Sequence, residues 1–297
     1  MDFEKQRLLH KQLVASSPLQ FTTKMFAYTN QREYVVGEHH RIICDALMDV
    51  INGKTNKLII NIAPRYGKTA LCSQMFIAYG LALNPAAKFL HISYSSGLVQ
   101  DNSVAVKDII MSPYYQTLFP EVKFKKSDNT RAKWSTTAGG GEYATSTLGQ
   151  ITGFGAGQPD WTDEEIANMD EFTAKFNPAM FSGGIVIDDP LRPEDALSDK
   201  VRESINRRFE TTIRNRVNSR HTPIIIIMQR LHEHDLCGYL QEIEPNEWTV
   251  VSIPVIQMDE EGNERALWPY KHTLEELHKL RNASEFVFET QYMQNPT

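Results

Sequence analysis

The amino-acid sequence predicts an α/β fold with a mainly parallel central sheet flanked by helices. Short, nearly continuous apolar runs are typical of strands buried on both faces, and they occur at 57–63, 88–93, 183–189 and 222–228, with a further strand expected at 249–253. Helix-compatible segments lie between or beside these runs, at 40–51, 68–82, 97–111, 194–218 and 234–242. Because strands and helices alternate through most of the chain, an open α/β sheet is the simplest architecture.

The composition fits a globular protein and limits the other classes. The chain has 297 residues, 41% of them hydrophobic and 23% charged, and this length allows a full core without disulfide or metal staples. Lys and Arg total 31 against 37 for Asp and Glu, so the net charge of −6 argues against a protein that coats nucleic acid by bulk attraction. Cys44, Cys72 and Cys237 lie far apart, which predicts free thiols in a reducing compartment. We see no signal peptide or membrane-spanning stretch in the sequence.

A phosphate-binding loop is predicted between the strand at 57–63 and the helix at 68–82. The segment APRYGKT ends in Gly67, Lys68 and Thr69, which supply a permissive turn, an ammonium for the outer phosphates and a hydroxyl for Mg²⁺. The residues expected to hold ATP are Pro64, Arg65, Tyr66, Gly67, Lys68, Thr69 and Ala70. Ile62 stands where the usual pattern has its first glycine, so the match is incomplete, and the alternative is a chance Gly-Lys-Thr after a strand.

Two carboxylates end the strand at 183–189. Open parallel sheets bind ligands beyond the carboxyl ends of their strands, which is where Asp188 and Asp189 are predicted to lie. Asp188 is expected to hold hydrated Mg²⁺ together with Thr69, and a neighbouring acid to polarise the attacking water. Asp189 is adjacent, but Glu194 is a longer carboxylate shortly after it, so the general base is open between the two. The alternative is a strand end with two solvated aspartates.

With these motifs in place, the chain resembles the N-terminal ATPase domain of the large terminase subunit of tailed double-stranded DNA bacteriophages. The resemblance extends over nearly the whole chain, and it rests on the order and spacing of short motifs that are individually weak. In chain order these are GEHHRIICDAL, IAPRYGKTALCSQ with an arginine before Gly-Lys, ISYSSGL, GQITGFGAG, GGIVIDDP, RNRVN, IIIIMQRLHEHDL, ALWP and FETQYMQNP.

The resemblance implies an ASCE-type P-loop NTPase that uses ATP and Mg²⁺ to package viral DNA into a procapsid, as a homo-oligomeric ring docked on the portal. The implied partners are double-stranded DNA, the portal protein and the small terminase subunit, in the cytoplasm of the infected host cell and without a membrane. The resemblance also implies that Arg65 senses nucleotide phosphates and that the segment MQR, after the strand at 222–228, couples hydrolysis to movement. Gln229 is then the candidate γ-phosphate or water sensor, and the alternative is a polar strand end that pairs with Glu233 or Asp235.

Two features depart from the family's pattern. An arginine supplied to the neighbouring subunit's nucleotide is expected on the helix after ISYSSGL, but the only cation there is Lys107. The trans-acting residue is therefore open among Lys107, Arg214 and Arg216. The acidic, aromatic stretch 158–182 separates the glycine-rich segment from the carboxylate-bearing strand by more than expected, and it is predicted to be an insertion.

Three regions are predicted along the chain: an N-terminal helical segment on the adenine side at 1–56, a P-loop ATPase core at 57–253 and a C-terminal extension at 254–297. Large terminases also carry a C-terminal nuclease domain, and the chain stops where the family's ATPase domain ends. We therefore expect no DNA cleavage by this chain. In the first region Gln31 is a candidate adenine ligand beside Phe26, Tyr28, Arg32 and Tyr34, although core packing explains the tyrosines equally well.

Two groups of basic residues are candidate DNA contacts, because tracking along a duplex needs phosphate contacts without base readout. They are Arg202, Arg207, Arg208, Arg214, Arg216 and Arg220, and Lys123, Lys125, Lys126, Arg131 and Lys133. For either group the alternative is a solvated face whose charges pair internally. The histidine pairs at 39–40 and 232–234 match no zinc spacing, so we do not assign them a metal.

Two rival functions are compatible with a nucleotide site. A helicase-like ATPase would need a second RecA-like lobe, and the chain after Ile253 is too short for one. A nucleotide-dependent scaffold or assembly protein would bind ATP with little turnover. Separate mutation of Asp189 and Glu194 discriminates the scaffold from a motor, because only a motor has hydrolysis to lose.

Overall fold

The computed structural model describes residues 3–151, 153–160 and 181–296 of the chain. Most of the stretch predicted as an insertion, 158–182, lies outside these described residues. Within the described ranges we find no helix that is both long enough and apolar enough to cross a bilayer.

An eight-stranded, mainly parallel sheet forms the centre of the described chain. Its strands are β1 (Lys57–Ile62), β2 (Lys88–Ser93), β3 (Phe124–Asn129), β4 (Lys133–Thr136), β5 (Gly141–Ser146), β6 (Gly183–Asp188), β7 (Ile224–Met228) and β8 (Thr249–Ile253). Their order across the sheet is β3-β4-β5-β2-β6-β7-β1-β8, and every pair from β5 to β8 is parallel. Strand β7 therefore lies between the strand that precedes Lys68 and the strand that ends in the carboxylates.

Helices pack on both faces of this sheet. The α-helices are α1 (Phe3–Ala15), α2 (Pro18–Asn30), α3 (Glu38–Ile51), α4 (Phe76–Leu83), α5 (Ser96–Met111), α6 (Pro113–Leu118), α7 (Asp199–Arg208), α8 (Leu236–Ile243), α9 (Leu274–Ala283) and α10 (Glu285–Val287). Wider π-helical turns occur at Ala70–Met75, Phe209–Ile213 and Phe288–Tyr292, and 3₁₀ turns at Pro193–Asp195 and Arg214–Arg216. A short antiparallel pair, β9 (Ile256–Met258) and β10 (Glu264–Ala266), lies outside the central sheet.

The sheet separates two hydrophobic layers. Because successive side chains of a strand point to opposite faces, Leu58 and Ile60 of β1 pack in one layer while Ile59 packs in the other. The first layer includes residues from α1 to α4, such as Phe21, and residues of the C-terminal segment. The second includes residues of α7 and α8, such as Leu240. The central strands are buried on both faces, which is why they appear in the sequence as continuous apolar runs.

The predicted fold class is confirmed, and the predicted strands at 57–63, 88–93, 183–189, 222–228 and 249–253 end within two residues of the observed ones. The charged stretch 194–218 is not one helix, because 3₁₀ and π-helical turns flank α7 on both sides. Helices α1 and α2 lie in the region predicted to be helical, but their bounds and the β9–β10 pair were not predicted. Helix α1 leaves Leu8, Leu9 and Leu13 exposed, so its sequence lacks a clear apolar stripe.

A chain of buried hydrogen bonds ties strands β2, β4 and β5 to α5. Nδ1 of His91 lies 2.7 Å from Oε1 of Glu142, and the Ser103 hydroxyl donates to the other carboxylate oxygen at 3.1 Å. The indole N–H of Trp134 donates to the Ser103 hydroxyl at 2.9 Å. All four side chains are buried in the core, so these bonds satisfy polar atoms that have no access to water.

Replacing Glu142 with alanine is expected to lower the free energy of unfolding by about 3 kcal/mol, because His91 and Ser103 lose their partner inside the core. Urea unfolding followed by circular dichroism measures this loss. The control is Glu275→Ala, which removes an exposed ion pair with Lys279 and should change stability little. Equal losses in the two variants would contradict the proposed role of the buried network.

Candidate nucleotide-binding site

The carboxyl ends of β1, β2, β6 and β7 meet at one edge of the sheet. The register pairs Ser93 of β2 with Asp188 of β6, and pairs Asp188 with Ile227 of β7. The residues that follow these strands therefore emerge side by side, as expected for ligand sites of open parallel sheets. A cleft of about 570 Å³ opens at this edge.

The cleft is lined by the loop after β1, by the strand ends and by the start of α5. The loop contributes Pro64, Arg65, Gly67, Lys68, Thr69 and Ala70, and the strand ends contribute Ser93, Asp188, Asp189 and Gln229. Tyr94, Leu98 and Asn102 complete the lining. Of the residues predicted for nucleotide, metal and catalysis, the lining includes all except Gln31, Tyr66 and Glu194.

The loop turns sharply and leads directly into a helix. Arg65 (φ 66°) and Gly67 (φ 82°) both adopt left-handed backbone conformations, which glycine adopts freely and arginine rarely. Residues 68 and 69 are already helical, and the π-helical turn Ala70–Met75 continues into α4. The unpaired N–H groups at a helix start carry partial positive charge, so the geometry suits a phosphate group.

The ammonium of Lys68 lies at the centre of the cleft's charge arrangement. Its Nζ donates to Oδ1 of Asp189 at 2.8 Å and also to Oε1 of Gln229. The Lys68 side chain is only 5% exposed, and a buried ammonium is stable only when it is paired in this way. The hydrogen bonds therefore link the loop after β1 to the ends of β6 and β7.

The two carboxylates have different surroundings. Asp188 is buried and accepts a hydrogen bond from the Ser73 hydroxyl at 3.2 Å, while its Oδ1 has no partner among the described residues. Asp188 and Thr69 both line the cleft, and carboxylate and hydroxyl oxygens are ligands that fit a hard cation such as Mg²⁺. Burial raises the pKa of Asp189 to about 6, the charge of Asp188 acts in the same direction, and the Lys68 ammonium opposes both.

The polar residues after β7 face different partners. Gln229 is buried and contacts Lys68, whereas Nε of Arg230 donates to both carboxylate oxygens of Asp235 at 3.1 and 3.0 Å. Asp235 is fully buried and caps the start of α8 through the Gly238 N–H. The alternative of a polar strand end paired with Asp235 therefore describes Arg230 but does not describe Gln229.

Three predicted site residues have other surroundings. The Tyr66 side chain is wholly buried, and its hydroxyl lies 3.0 Å from Nδ1 of His272, so only its backbone belongs to the loop. Gln31 follows α2, is exposed, and donates its amide N–H to the Tyr28 carbonyl at 2.7 Å. Glu194 is exposed in the 3₁₀ turn after β6.

The aromatic residues proposed for the adenine pocket pack among themselves and against neighbours. The ring centroids of Phe26 and Tyr34 are 5.0 Å apart, and Tyr28 stacks on Tyr114 at 4.9 Å. The Arg32 guanidinium lies 5.4 Å from the Phe26 ring centroid. These contacts agree with the packing alternative for the tyrosines.

Sequence reasoning missed the residues that pack behind the loop. His39 Nε2 lies 3.2 Å from the Tyr66 carbonyl oxygen, and the Trp268 ring packs 5.0 Å from the rings of both His39 and His40. Two motifs, GEHH and ALWP, contain these residues, but neither motif has a chemical signature for loop support. His272 lies 206 positions from Tyr66, so local patterns could not connect them.

The three candidates for the trans-acting cation differ in their contacts. Lys107 donates to the Asn129 side chain, and Arg214 is held by Glu210 and by Glu244. For Arg216, Nε is buried and has no acceptor in the part of the chain that the structure describes.

The two basic groups do not form continuous free surfaces. In the first group Arg202 is buried and pairs with Asp199, and Arg214 is paired as described above. In the second group Arg131 pairs with Asp101, and Lys133 lies 3.9 Å from Asp128. Three exposed lysines at the β3 edge, Lys123, Lys125 and Lys126, are the simplest remaining candidates for phosphate contacts.

A second cleft of about 620 Å³ borders α7 and α8. Its lining mixes acidic side chains such as Asp199 and Glu203 with basic ones such as Arg207. It has no phosphate loop, and the mixed signs make it less suited to a triphosphate than the cleft at the strand ends.

Two features define a P-loop NTPase fold. Strand β7 lies between the strand that precedes the loop and the strand that ends in the carboxylates, and the loop leads directly into a helix. The crystal structure of the HK97 bacteriophage large terminase has this fold in common with the chain. It aligns with a TM-score of 0.52 at 9% sequence identity, covering 89% of this chain and 51% of that chain. The structure of a large terminase from a thermophilic bacteriophage aligns with a TM-score of 0.42 at 12% identity, covering 83% of this chain and 52% of that one.

The chain thus spans about half the length of these two terminase structures. No protein-family model and no curated protein sequence matches it. The likeness to the HK97 protein therefore concerns the fold.

The raised pKa of Asp189 predicts a pH-dependent contribution to stability. A carboxyl group with a higher pKa in the folded state binds its proton more tightly there, so its contribution to stability falls as pH rises from about 4 to about 6. Asp189→Asn removes this titration. Urea unfolding of both proteins across this range should show that the stability of the wild type relative to the variant falls as pH rises. A constant difference would contradict the raised pKa.

Proposed function

We propose that this chain is the ATP-hydrolysing motor domain of a viral DNA-packaging terminase, which drives double-stranded DNA into a procapsid. The observation that carries the proposal is the meeting of Lys68, Asp189 and Gln229 in one cleft, beside a loop that begins a helix. The order of the sequence motifs and the fold likeness to the HK97 large terminase support a terminase over other P-loop ATPases.

In this proposal the loop and the helix start bind the phosphates of ATP. The Lys68 ammonium exchanges its contacts with Asp189 and Gln229 for the β- and γ-phosphate oxygens, and Arg65, exposed on the loop, senses the nucleotide. The Thr69 hydroxyl and Asp188 would hold Mg²⁺, which would supply positive charge to stabilise the transferring phosphoryl group.

Asp189 is our candidate for the general base. It borders the cleft, whereas Glu194 does not, and burial raises its pKa above that of an ordinary aspartate, which makes its carboxylate a better acceptor for a proton of the attacking water. Gln229 is close to Asp189 because both contact Lys68. As a neutral amide, Gln229 orients that water without taking up its proton.

The partners are proposed from the same assignment. Double-stranded DNA would contact Lys123, Lys125 and Lys126, which are exposed at the sheet edge. The portal protein and the small terminase subunit would bind a homo-oligomeric ring of this chain. Within the ring, Arg216 is our candidate for the cation supplied to the neighbouring nucleotide, because the other two candidates, Lys107 and Arg214, already have side-chain partners.

Mg²⁺-dependent ATP hydrolysis, measured over a series of protein concentrations and alongside ATP binding, tests the proposal. Lys68→Ala should lose binding and hydrolysis because the phosphates lose their lysine. Asp189→Asn should bind ATP but turn over about a hundredfold more slowly, the usual magnitude for loss of a general base. Glu194→Gln is the matched control and should behave as the wild type, with turnover per subunit that rises with concentration.

Different failures have different meanings. Tight ATP binding by the wild type with no turnover at any concentration would favour a nucleotide-dependent scaffold. Loss of turnover in Glu194→Gln but not in Asp189→Asn would show that the general base is misassigned. Absence of ATP binding would remove the proposal altogether.

A further inference from the structure

We propose that His39 is a positioning residue for the nucleotide: from behind the loop it fixes the Tyr66–Gly67 peptide unit so that the Gly67 N–H faces the bound phosphates. The inference rests on the proposed function, because it gives a direction to one phosphate-binding group of the same site. It concerns a side chain that does not line the cleft itself.

The hydrogen bond between His39 and the loop fixes the position of the imidazole proton. Nε2 of His39 lies 3.2 Å from the Tyr66 carbonyl oxygen, and a carbonyl oxygen only accepts hydrogen bonds. His39 therefore donates through Nε2–H. Burial lowers the pKa of His39 to about 4, so the ring is neutral at pH 7 and its Nδ1 carries no proton.

The direction of the Gly67 N–H follows from the direction of the Tyr66 carbonyl, because both belong to one peptide unit. In a trans peptide unit the C=O and the N–H point in opposite directions, and the described chain contains no cis peptide bond. His39 holds the Tyr66 carbonyl toward the interior, so the Gly67 N–H of the same unit points away from the interior. Gly67 lines the cleft, and among the described residues no protein acceptor pairs with its N–H.

The imidazole of His39 is itself held in place. It is fully buried, and its ring centroid is 3.8 Å from that of His40 and 5.0 Å from that of Trp268. Nδ1 of His40 accepts the Gly37 N–H at 2.8 Å, which fixes the second ring as well. A rigid donor of this kind restricts the peptide to one orientation.

The loop packs directly on these histidines. A Cβ atom on Gly67 would lie 3.3 Å from Nε2 of His40, so little space separates the two. The Tyr66 side chain points to the same side and reaches His272 with its hydroxyl. The carbonyl and the side chain of Tyr66 are thus both held on the side of the loop that faces away from the cleft. The Gly67 N–H remains for the ligand.

The test uses two variants that differ in the distance of the side-chain amide nitrogen from Cα. In His39→Gln the amide nitrogen lies as many bonds from Cα as Nε2 does, so it can still donate to the Tyr66 carbonyl. In His39→Asn the amide nitrogen corresponds to Nδ1 and falls short. The full chain is titrated against mant-ATP with Mg²⁺ by fluorescence anisotropy, below the unfolding midpoint of every variant.

We expect His39→Asn to bind mant-ATP about tenfold more weakly, since a misdirected N–H loses a hydrogen bond to a charged group. His39→Gln should bind within about twofold of the wild type. His278→Asn is the control, because His278 of α9 contacts Glu264 of β10 and has no described contact with the loop. Equal affinities of the Gln and Asn variants, whether strong or weak, would overturn the inference.

A measurement on the wild type covers the case in which a variant does not fold. Long-range ¹⁵N–¹H correlation spectra of the labelled chain report which ring nitrogen of His39 carries the proton. A neutral ring protonated at Nε2 is expected, and a proton on Nδ1 would overturn the inference. If the wild type does not bind mant-ATP, or if Lys68→Ala binds as well as the wild type, the proposed function fails, whereas the spectra still report on the loop contact.

Discussion

The ammonium group of Lys68 joins the ends of three neighbouring strands. It comes from the loop after β1 and donates to Asp189 after β6 and to Gln229 after β7. A buried ammonium needs acceptors on several sides, and the sheet supplies them because β7 lies between β1 and β6. The position of β7 therefore decides which polar groups can share the cleft with the loop.

Residues from the N-terminal and C-terminal parts of the described chain pack on the side of the loop that faces away from the cleft. The start of α3 contributes His39 and His40 to the back of the loop, and the segment after β10 contributes Trp268 and His272. The C-terminal segment also reaches the end of β7, where Oε1 of Gln294 accepts the Arg230 N–H at 2.9 Å. The N-terminal and C-terminal regions thus contact the groups that the proposal uses for catalysis and coupling.

Much of the sheet could be predicted from the sequence because its central strands are buried on both faces. Runs such as 57–63 and 183–189 have few other structural explanations, and a parallel sheet then brings their carboxyl ends together. This reasoning was sufficient to predict that Lys68, Asp188 and Asp189 share a cleft. It could not separate Asp189 from Glu194 as candidate bases, because chain spacing does not report which carboxylate faces the cleft.

Other features depend on contacts that no local pattern reports. The direction of the Tyr66 side chain is set by His272, far along the chain. Arg214 also pairs with Glu244, the residue after α8, which lies 30 positions further along the chain. Strand β5 pairs in parallel with β2 although it lies in a glycine-rich segment with no continuous apolar run.

A crystal structure of the chain with Mg²⁺ and a non-hydrolysable ATP analogue tests the central claim most directly. Our account predicts that the phosphates occupy the loop, that the Lys68 ammonium has moved from Asp189 to phosphate oxygens, and that Mg²⁺ lies about 2.1 Å from the Thr69 hydroxyl. An analogue bound elsewhere, such as the cleft beside α7, with Lys68 still paired to Asp189, would contradict it.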